Sequence, residues 1–246
     1  ILANFFNSFK SVGGSSESYF WLNNTGSLLN QTICGLFTGI PNYIMVPVAA
    51  KMVKKWGARA TSIIAGLFGF FAYMTLFFVG FHPFGQTFKD HYIFNLIWVI
   101  FGLTICGLPN KILNVSGQIV TAEALDYMEW KHGLRNEALV TTVQGYFGKL
   151  ATSVTGWLSG MVLTWINYVP LTDSLGNAIP QTDPTMLNGI WAIFCILPAL
   201  ARGLYGVSFI IYPIHGDLQQ QMIVELAEKR AQRLAEQDAK DHQANA

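Results

Sequence analysis

One lysine, Lys149, interrupts an otherwise apolar stretch that reads VTTVQGYFGKLATSVTGWLSGMVLTWINYVP (140–170), directly after the charged segment AEALDYMEWKHGLRNEAL (122–139). A charge at the centre of a helix facing lipid costs roughly 2.5–3.5 kcal/mol on insertion scales. Such residues therefore face a bundle interior or a water-filled path, where an ammonium can pair with a carboxylate or hold an anionic or hydroxylated ligand. The other ionisable groups inside apolar runs are also mostly basic: Lys10, Lys111 and Arg202, with Glu17 as the one acid. Buried charges need partners, so the expectation is that carboxylates come from another part of the protein or from its substrate. Arg202 reads either as a contact to a substrate anion or as a tie between helices, and the tie is the favoured reading. Lys111 stands beside Asn110, Asn114 and Gln118, which share one helical face; that face either lines a cavity or lets the lysine snorkel outward. Asn4, Asn7, Ser11, Ser15 and Ser18 recur at three- and four-residue spacing, a polar face expected to line a cavity. No nucleophile elbow, phosphate-binding glycine loop or metal motif occurs, and the five histidines do not cluster. The expectation is a protein that is not an enzyme and uses no cofactor or metal.

The elements that must position these residues follow from composition. Of the 246 residues, 52% are apolar and only 12% charged, against about 25% charged in a soluble domain. This points to a polytopic membrane protein. Runs long enough to cross a hydrocarbon core of about 30 Å at 1.5 Å per residue cover approximately 1–22, 28–50, 60–81, 92–116, 139–168 and 188–213. Between them, Lys51, Lys54, Lys55 and Arg59, then Lys131 and Arg135, then Lys229, Arg230, Arg233 and Lys240 fall in alternate connections and the tail. The intervening loops hold only Lys89, so the positive-inside rule puts the basic set and the C-terminus in the cytoplasm. Residues 214–246 form a charged amphipathic tail with Met222, Ile223, Leu226 and Leu234 on its apolar side, lying on the membrane surface or against the inner loops. The spans are dense in glycine, and Gly156–Gly160 is a GxxxG spacing whose default meaning is close helix packing. Cys34, Cys106 and Cys195 read as buried thiols. A net charge of +1 gives no reason to expect nucleic acid. The chain starts inside an apolar run at Ile1, as the C-terminal part of a longer protein would.

The series Asp126-Tyr127-Met128-Glu129-Trp130-Lys131, then Gly133, Arg135 and Glu137, then Lys149, resembles the glycoside–pentoside–hexuronide:cation symporters, the melibiose permease-like family of the major facilitator superfamily. Lys54-Lys55-Trp56-Gly57, and Tyr212-Pro213 followed by Ile223-Val224-Glu225-Leu226, are similar to two further signatures of that family. The resemblance covers nearly the whole chain and implies the C-terminal six-helix half of a twelve-helix transporter. It implies that Gln144 hydrogen-bonds sugar and that Lys149 stands where sugar and coupling cation meet. Gly145 and Gly148 occupy positions that bear side chains in the family's sugar permease, and Asn114 stands where that permease has a tryptophan, so a wider pocket is expected here. The family's coupling carboxylates belong to the other half, and no cation site is assigned on these residues.

The reading is an all-α polytopic membrane protein: six transmembrane helices in two inverted three-helix repeats over 1–213, followed by the tail. Its expected function is cation-coupled symport of a glycoside, oligosaccharide or hexuronide by alternating access, driven by Na⁺, Li⁺ or H⁺. Its expected partners are the sugar, a monovalent cation, the bilayer and the N-terminal six-helix half. Asn7, Ser11, Asn114, Gln144 and Lys149 are the substrate-binding candidates. Asp126, Glu129, Lys131, Arg135 and Glu137 are expected to form salt bridges that close an inner gating loop. The alternatives are a transporter of a lysolipid or other amphiphile, and a membrane sugar sensor that does not transport.

Overall fold

The computed structural model describes residues 2–79, 91–174 and 178–244. Lys89 and nearly all of the 81–92 loop lie outside them, as do the side chains of Asn4, Ser15 and Lys240. The described chain is almost entirely helical: α1 (Leu2–Ser8), α2 (Lys10–Thr25), α3 (Leu29–Val79), α4 (Tyr92–His132), α5 (Glu137–Trp165), α6 (Pro184–Ser208) and α7 (Asp217–Ala244). A two-residue hairpin, β1 (Leu171–Thr172) with β2 (Ala178–Ile179), joins α5 to α6. Among the described residues, α3, α4 and Pro184–Ile211 are long and apolar enough to cross a membrane. The chain is a multi-pass membrane protein.

Local chemistry sets the boundaries. The run 1–22 falls on two helices that break at Phe9, whose N–H turns back onto the Phe6 carbonyl at 3.1 Å. The runs 28–50 and 60–81 both lie in α3, which is two helices joined at Gly57. Gly57 has φ 79° and ψ 163°, a conformation closed to side chains and open to glycine. The segment 116–138, read from sequence as a loop, is instead the end of α4. Its residues from Ile119 to Tyr127 keep an apolar, helix-forming pattern, and the helix runs on until Gly133. There, at φ 71°, the Gly133 N–H caps the helix on the Glu129 carbonyl at 2.8 Å. Asn136 restarts the chain as a helix by accepting from the Leu139 N–H at 2.9 Å.

Packing is closest where glycines meet. A Cβ on Gly66 of α3 would lie 2.5 Å from the Gly206 Cα of α6, and one on Gly107 of α4 would lie 2.6 Å from the Asn42 amide. One apolar core joins Phe20, Trp21, Trp191 and Phe194, with Phe20 stacked on Phe194 at 4.7 Å. A second joins Ala49, Ala65, Leu113, Tyr205 and Phe209. Cys34, Cys106 and Cys195 are free and buried. The GxxxG spacing on α5 behaves differently, because nothing lies within 4 Å of where a Cβ on Gly156 or Gly160 would sit, nor on Gly145 or Gly148. This helix buries Ala151, Thr155 and Val162 against α1 and α2. It leaves Gly145, Lys149, Thr152, Gly156 and Gly160, at helical three- and four-residue spacing, uncovered by this chain.

Candidate functional site

Of the polar face expected on the first run, Ser11 lines a cavity, Asn7 reaches its edge by accepting from Arg202, and Ser18 bonds Gln31 instead. Lys10, Ser11, Glu17, Cys34, Asn110 and Arg202 are among the residues around a space of about 350 Å³. The break at Phe9 sets its basic end. It ends α1 at Asn7 and Ser8 and starts α2 at Lys10, so the two cations that reach the cavity converge on that junction. Lys10 Nζ donates to Asn110 Oδ1 at 3.3 Å. Arg202, only 3% exposed, crosses from α6 to donate through Nη1 to Asn7 Oδ1 at 2.9 Å. Gly69 makes room for that side chain; a Cβ there would lie 3.2 Å from Arg202 Cγ. The Asn7 bond is the tie between helices expected for Arg202, yet it uses only part of the guanidinium. Among the described residues the buried Arg202 Nε meets no acceptor. Ser11 Oγ donates to Thr155 Oγ1 at 3.2 Å, joining this face to α5.

The remaining candidates lie elsewhere. Gln144 donates to Thr121 Oγ1 at 3.2 Å at the edge of a second space of about 530 Å³. That space is lined mostly by apolar residues such as Val120, Leu139, Val143, Phe209 and Ile211. Asn114 is exposed on α4, and Lys149 is exposed on the glycine face of α5. The five substrate candidates therefore divide within this chain. Asn7 and Ser11 meet at the basic cavity, Gln144 stands at the apolar one, and Lys149 and Asn114 face outward. Lys111, on the same helix as Asn114, holds its ammonium 4.7 Å over the Tyr43 ring.

The charged segment forms a network at the α7 end of the bundle. Asp126, Glu129 and Lys131 stand on the last turns of α4, and Arg135 and Glu137 flank the turn after it. Arg135 contacts Asp126 at 2.9 Å, Glu129 at 3.8 Å and Glu137 at 2.9 Å. Lys131 stays apart, with its ammonium 3.4 Å from the Tyr127 hydroxyl. The sequence did not point to the other half of this network, which α7 supplies. Arg230 reaches Asp126 at 2.8 Å and also Glu129, and Arg233 reaches Glu129 at 3.5 Å. Trp130 Nε1 donates to Glu225 Oε2 at 2.7 Å, and Gln219 donates to Glu123 Oε1 at 2.7 Å. Met222 and Leu226 are buried beneath these contacts, while Ile223 and Leu234 remain exposed. The signal was the spacing of Gln219, Met222, Leu226, Arg230 and Arg233, one helical face that is apolar at its centre and basic at one end. Hydrogen bonds to Glu129 and then Asp126 hold the Arg230 guanidinium further above its ordinary pKa, and Glu137 does the same for Arg135. Gln221 and Trp130 hold the Glu225 carboxyl below the usual carboxylate range.

Two comparisons bear on this arrangement. The family model described as "MFS/sugar transport protein" matches residues 11–216. The uncharacterized symporter YjmB of Bacillus subtilis (strain 168) is 30% identical over 191 residues, covering 76% of this chain and 37% of that protein. An isoprimeverose transporter of Lactiplantibacillus pentosus is 28% identical over 120 residues, covering 48% of this chain and 23% of its own. The chain thus spans little more than a third, or less, of the length of these relatives. With the match spanning Arg202, both glycine crossings and the Asp126–Glu137 half of the charged network, the chain belongs to the MFS/sugar transport protein family.

Proposed function

We propose that this chain forms the C-terminal six-helix half of a cation-coupled sugar symporter working by alternating access. The observation that carries the reading is the uncovered face of α5. A lysine flanked by four glycines, inside an apolar helix, is neither covered by this bundle nor suited to lipid. Small residues suit close approach of another helix, and an N-terminal six-helix half is the partner that fits. Lys149 would then stand between the halves near the midplane, where its charge meets sugar and coupling cation (Na⁺, Li⁺ or H⁺). The relatives' names, a symporter and an isoprimeverose transporter, support a sugar as cargo and symport as the mode.

The network of Asp126, Glu129, Arg135, Glu137 and Arg230 serves as the inner closure in this reading. It joins the α4 end, the following turn and the tail in one state, and parts when the inner side opens. The basic connections put this end and the C-terminus in the cytoplasm. One observation favours a second reading. The apolar walls of the 530 Å³ space beside Gln144 would suit a lysolipid or other amphiphile better than a sugar.

The test is uptake of labelled glycosides by the full-length protein in membrane vesicles, with and without an imposed Na⁺ or H⁺ gradient. Gradient-driven accumulation of a sugar, abolished by Lys149→Ala, is expected. Accumulation of an amphiphile in its place establishes the second reading. Sugar binding without accumulation makes the protein a sensor.

A further inference from the structure

We propose that Glu17 carries a coupling proton, taking it up on Oε2 when sugar fills the cavity between α2, α3, α4 and α6. The proposal rests on the symport reading above and names the coupling ion and the residue that holds it. Among the described residues, Glu17 is the one carboxylate lining that cavity, and it stands midway along α2. Acids inside membrane spans mark ion and proton paths. Trp21, one turn on and fully buried, donates from Nε1 to Glu17 Oε1 at 3.4 Å. Indole donates and does not accept, so it holds that oxygen whether or not the carboxyl is protonated. Oε2 has no hydrogen-bond partner among the described residues, and no cation ion-pairs with Glu17.

The titratable groups around it leave the carboxyl free to change charge. Lys10 stands two turns back on the same helix, about 10 Å along its axis, and Arg202 of α6 lines the same space. Cys34 and Tyr73 of α3 stand near enough to feel the charge of Glu17. On α4, Lys111 is held over the Tyr43 ring, and the thiols of Cys106 on α4 and Cys195 on α6 are buried in the apolar core. No residue of α1 titrates, and Lys149 of α5 is exposed. A carboxylate shut away from water without a cation is costly, whereas the neutral acid is not. Water in the open cavity solvates the anion. Sugar displaces that water, so the acid becomes the favoured form, and its new O–H donates to a sugar hydroxyl. Sugar thus promotes proton binding, and by reciprocity the proton promotes sugar binding. The proton leaves water on one side, forms an O–H bond at Oε2, and returns to water on the other side when the sugar departs. Sites for Na⁺ in transporters draw on carbonyls of unwound helix, but α2 runs unbroken through Glu17. The walls of the cavity include Cys34, Tyr73 and Phe194, a thiol and two rings where a metal ion would need a cage of oxygens.

The experiment compares accumulation with exchange for the full-length protein in vesicles, using labelled methyl glucoside, galactoside and xyloside. An inward proton gradient is expected to drive accumulation of a sugar by the unmodified protein. In Glu17→Gln, whose amide oxygen still accepts from Trp21, that accumulation is lost while exchange at equal concentrations persists at a reduced rate. Glu17→Asp keeps a proton site, so proton-driven accumulation persists with a shifted pH profile, which decides the matter should Glu17→Gln fail to fold. Proton-driven accumulation that survives in Glu17→Gln, or an unshifted profile in Glu17→Asp, overturns the proposal. Accumulation driven by Na⁺ and not by protons also overturns it and leaves symport intact. Failure of the protein to take up any sugar overturns the transport reading, and this proposal with it.

Discussion

The molecule treats charge in two opposite ways at its two charged regions. At the α7 end, Glu129 is nearly buried and faces Arg135, Arg230 and Arg233, while Asp126 is shared between two of them. Asp126, Glu129 and Glu137 each have an arginine partner there. In the cavity, the partners of Lys10 and Arg202 among the described residues are the amides of Asn110 and Asn7. The first region is stabilised by its own ion pairs. The second, among the described residues, is left without an ion pair. The difference separates a region that neutralises its own charge from one that does not.

The comparison can be broken hardest at the backbone. The cavity is held by helix crossings at glycine, so Gly66→Val, which forces a side chain onto the Gly206 backbone, is expected to cost about 3 kcal/mol or more. Loss of a folded, monodisperse peak in detergent chromatography would register it. Next in size is Glu129→Gln, which leaves three guanidinium groups facing one another. Hydrogen bonds to charged groups contribute about 1.5–3 kcal/mol, discounted because the arginines are 41–53% exposed. A loss of about 1–2 kcal/mol is expected in thermal unfolding, together with faster protease cleavage of α7. Arg230→Glu should free the tail in the same way, and combining Arg230→Glu with Glu129→Arg should restore part of the protection.

The smallest effect is in pH. The Glu225 carboxyl is held low in the folded chain by Gln221 and Trp130. Its contribution is therefore complete above the ordinary carboxylate pKa and disappears as pH falls through its depressed value. Protease protection of the tail should weaken below about pH 4.5, and Glu225→Gln should flatten that part of the profile.

Much of this was legible in the sequence, and the reasons differ by region. Helix content and the membrane class follow from apolar run lengths and scarce charge. The charged segment was readable as an ion-pair network because its acids and bases are neighbours in the chain. The share of α7 was not, since Arg230 lies about a hundred residues from Glu129 and a basic tail has many places to dock. The cavity was half legible. The periodicity of Asn7 and Ser11 marked its face, but Lys10 and Arg202 are 192 positions apart, and only packing through Gly66, Gly69 and Gly206 brings them together. The loop expected over 116–138 failed because its polar residues lie on a helix that extends past the apolar run, and hydropathy cannot distinguish that from a turn.

The most direct test of the central contrast is paired measurement of thermal stability and sugar uptake in Lys10→Gln. A cation held for a ligand costs the empty protein stability, so the melting temperature should stay unchanged or rise by about 2–4 °C per kcal/mol relieved while uptake weakens. A melting temperature that falls with uptake preserved would make Lys10 a structural residue and contradict the account.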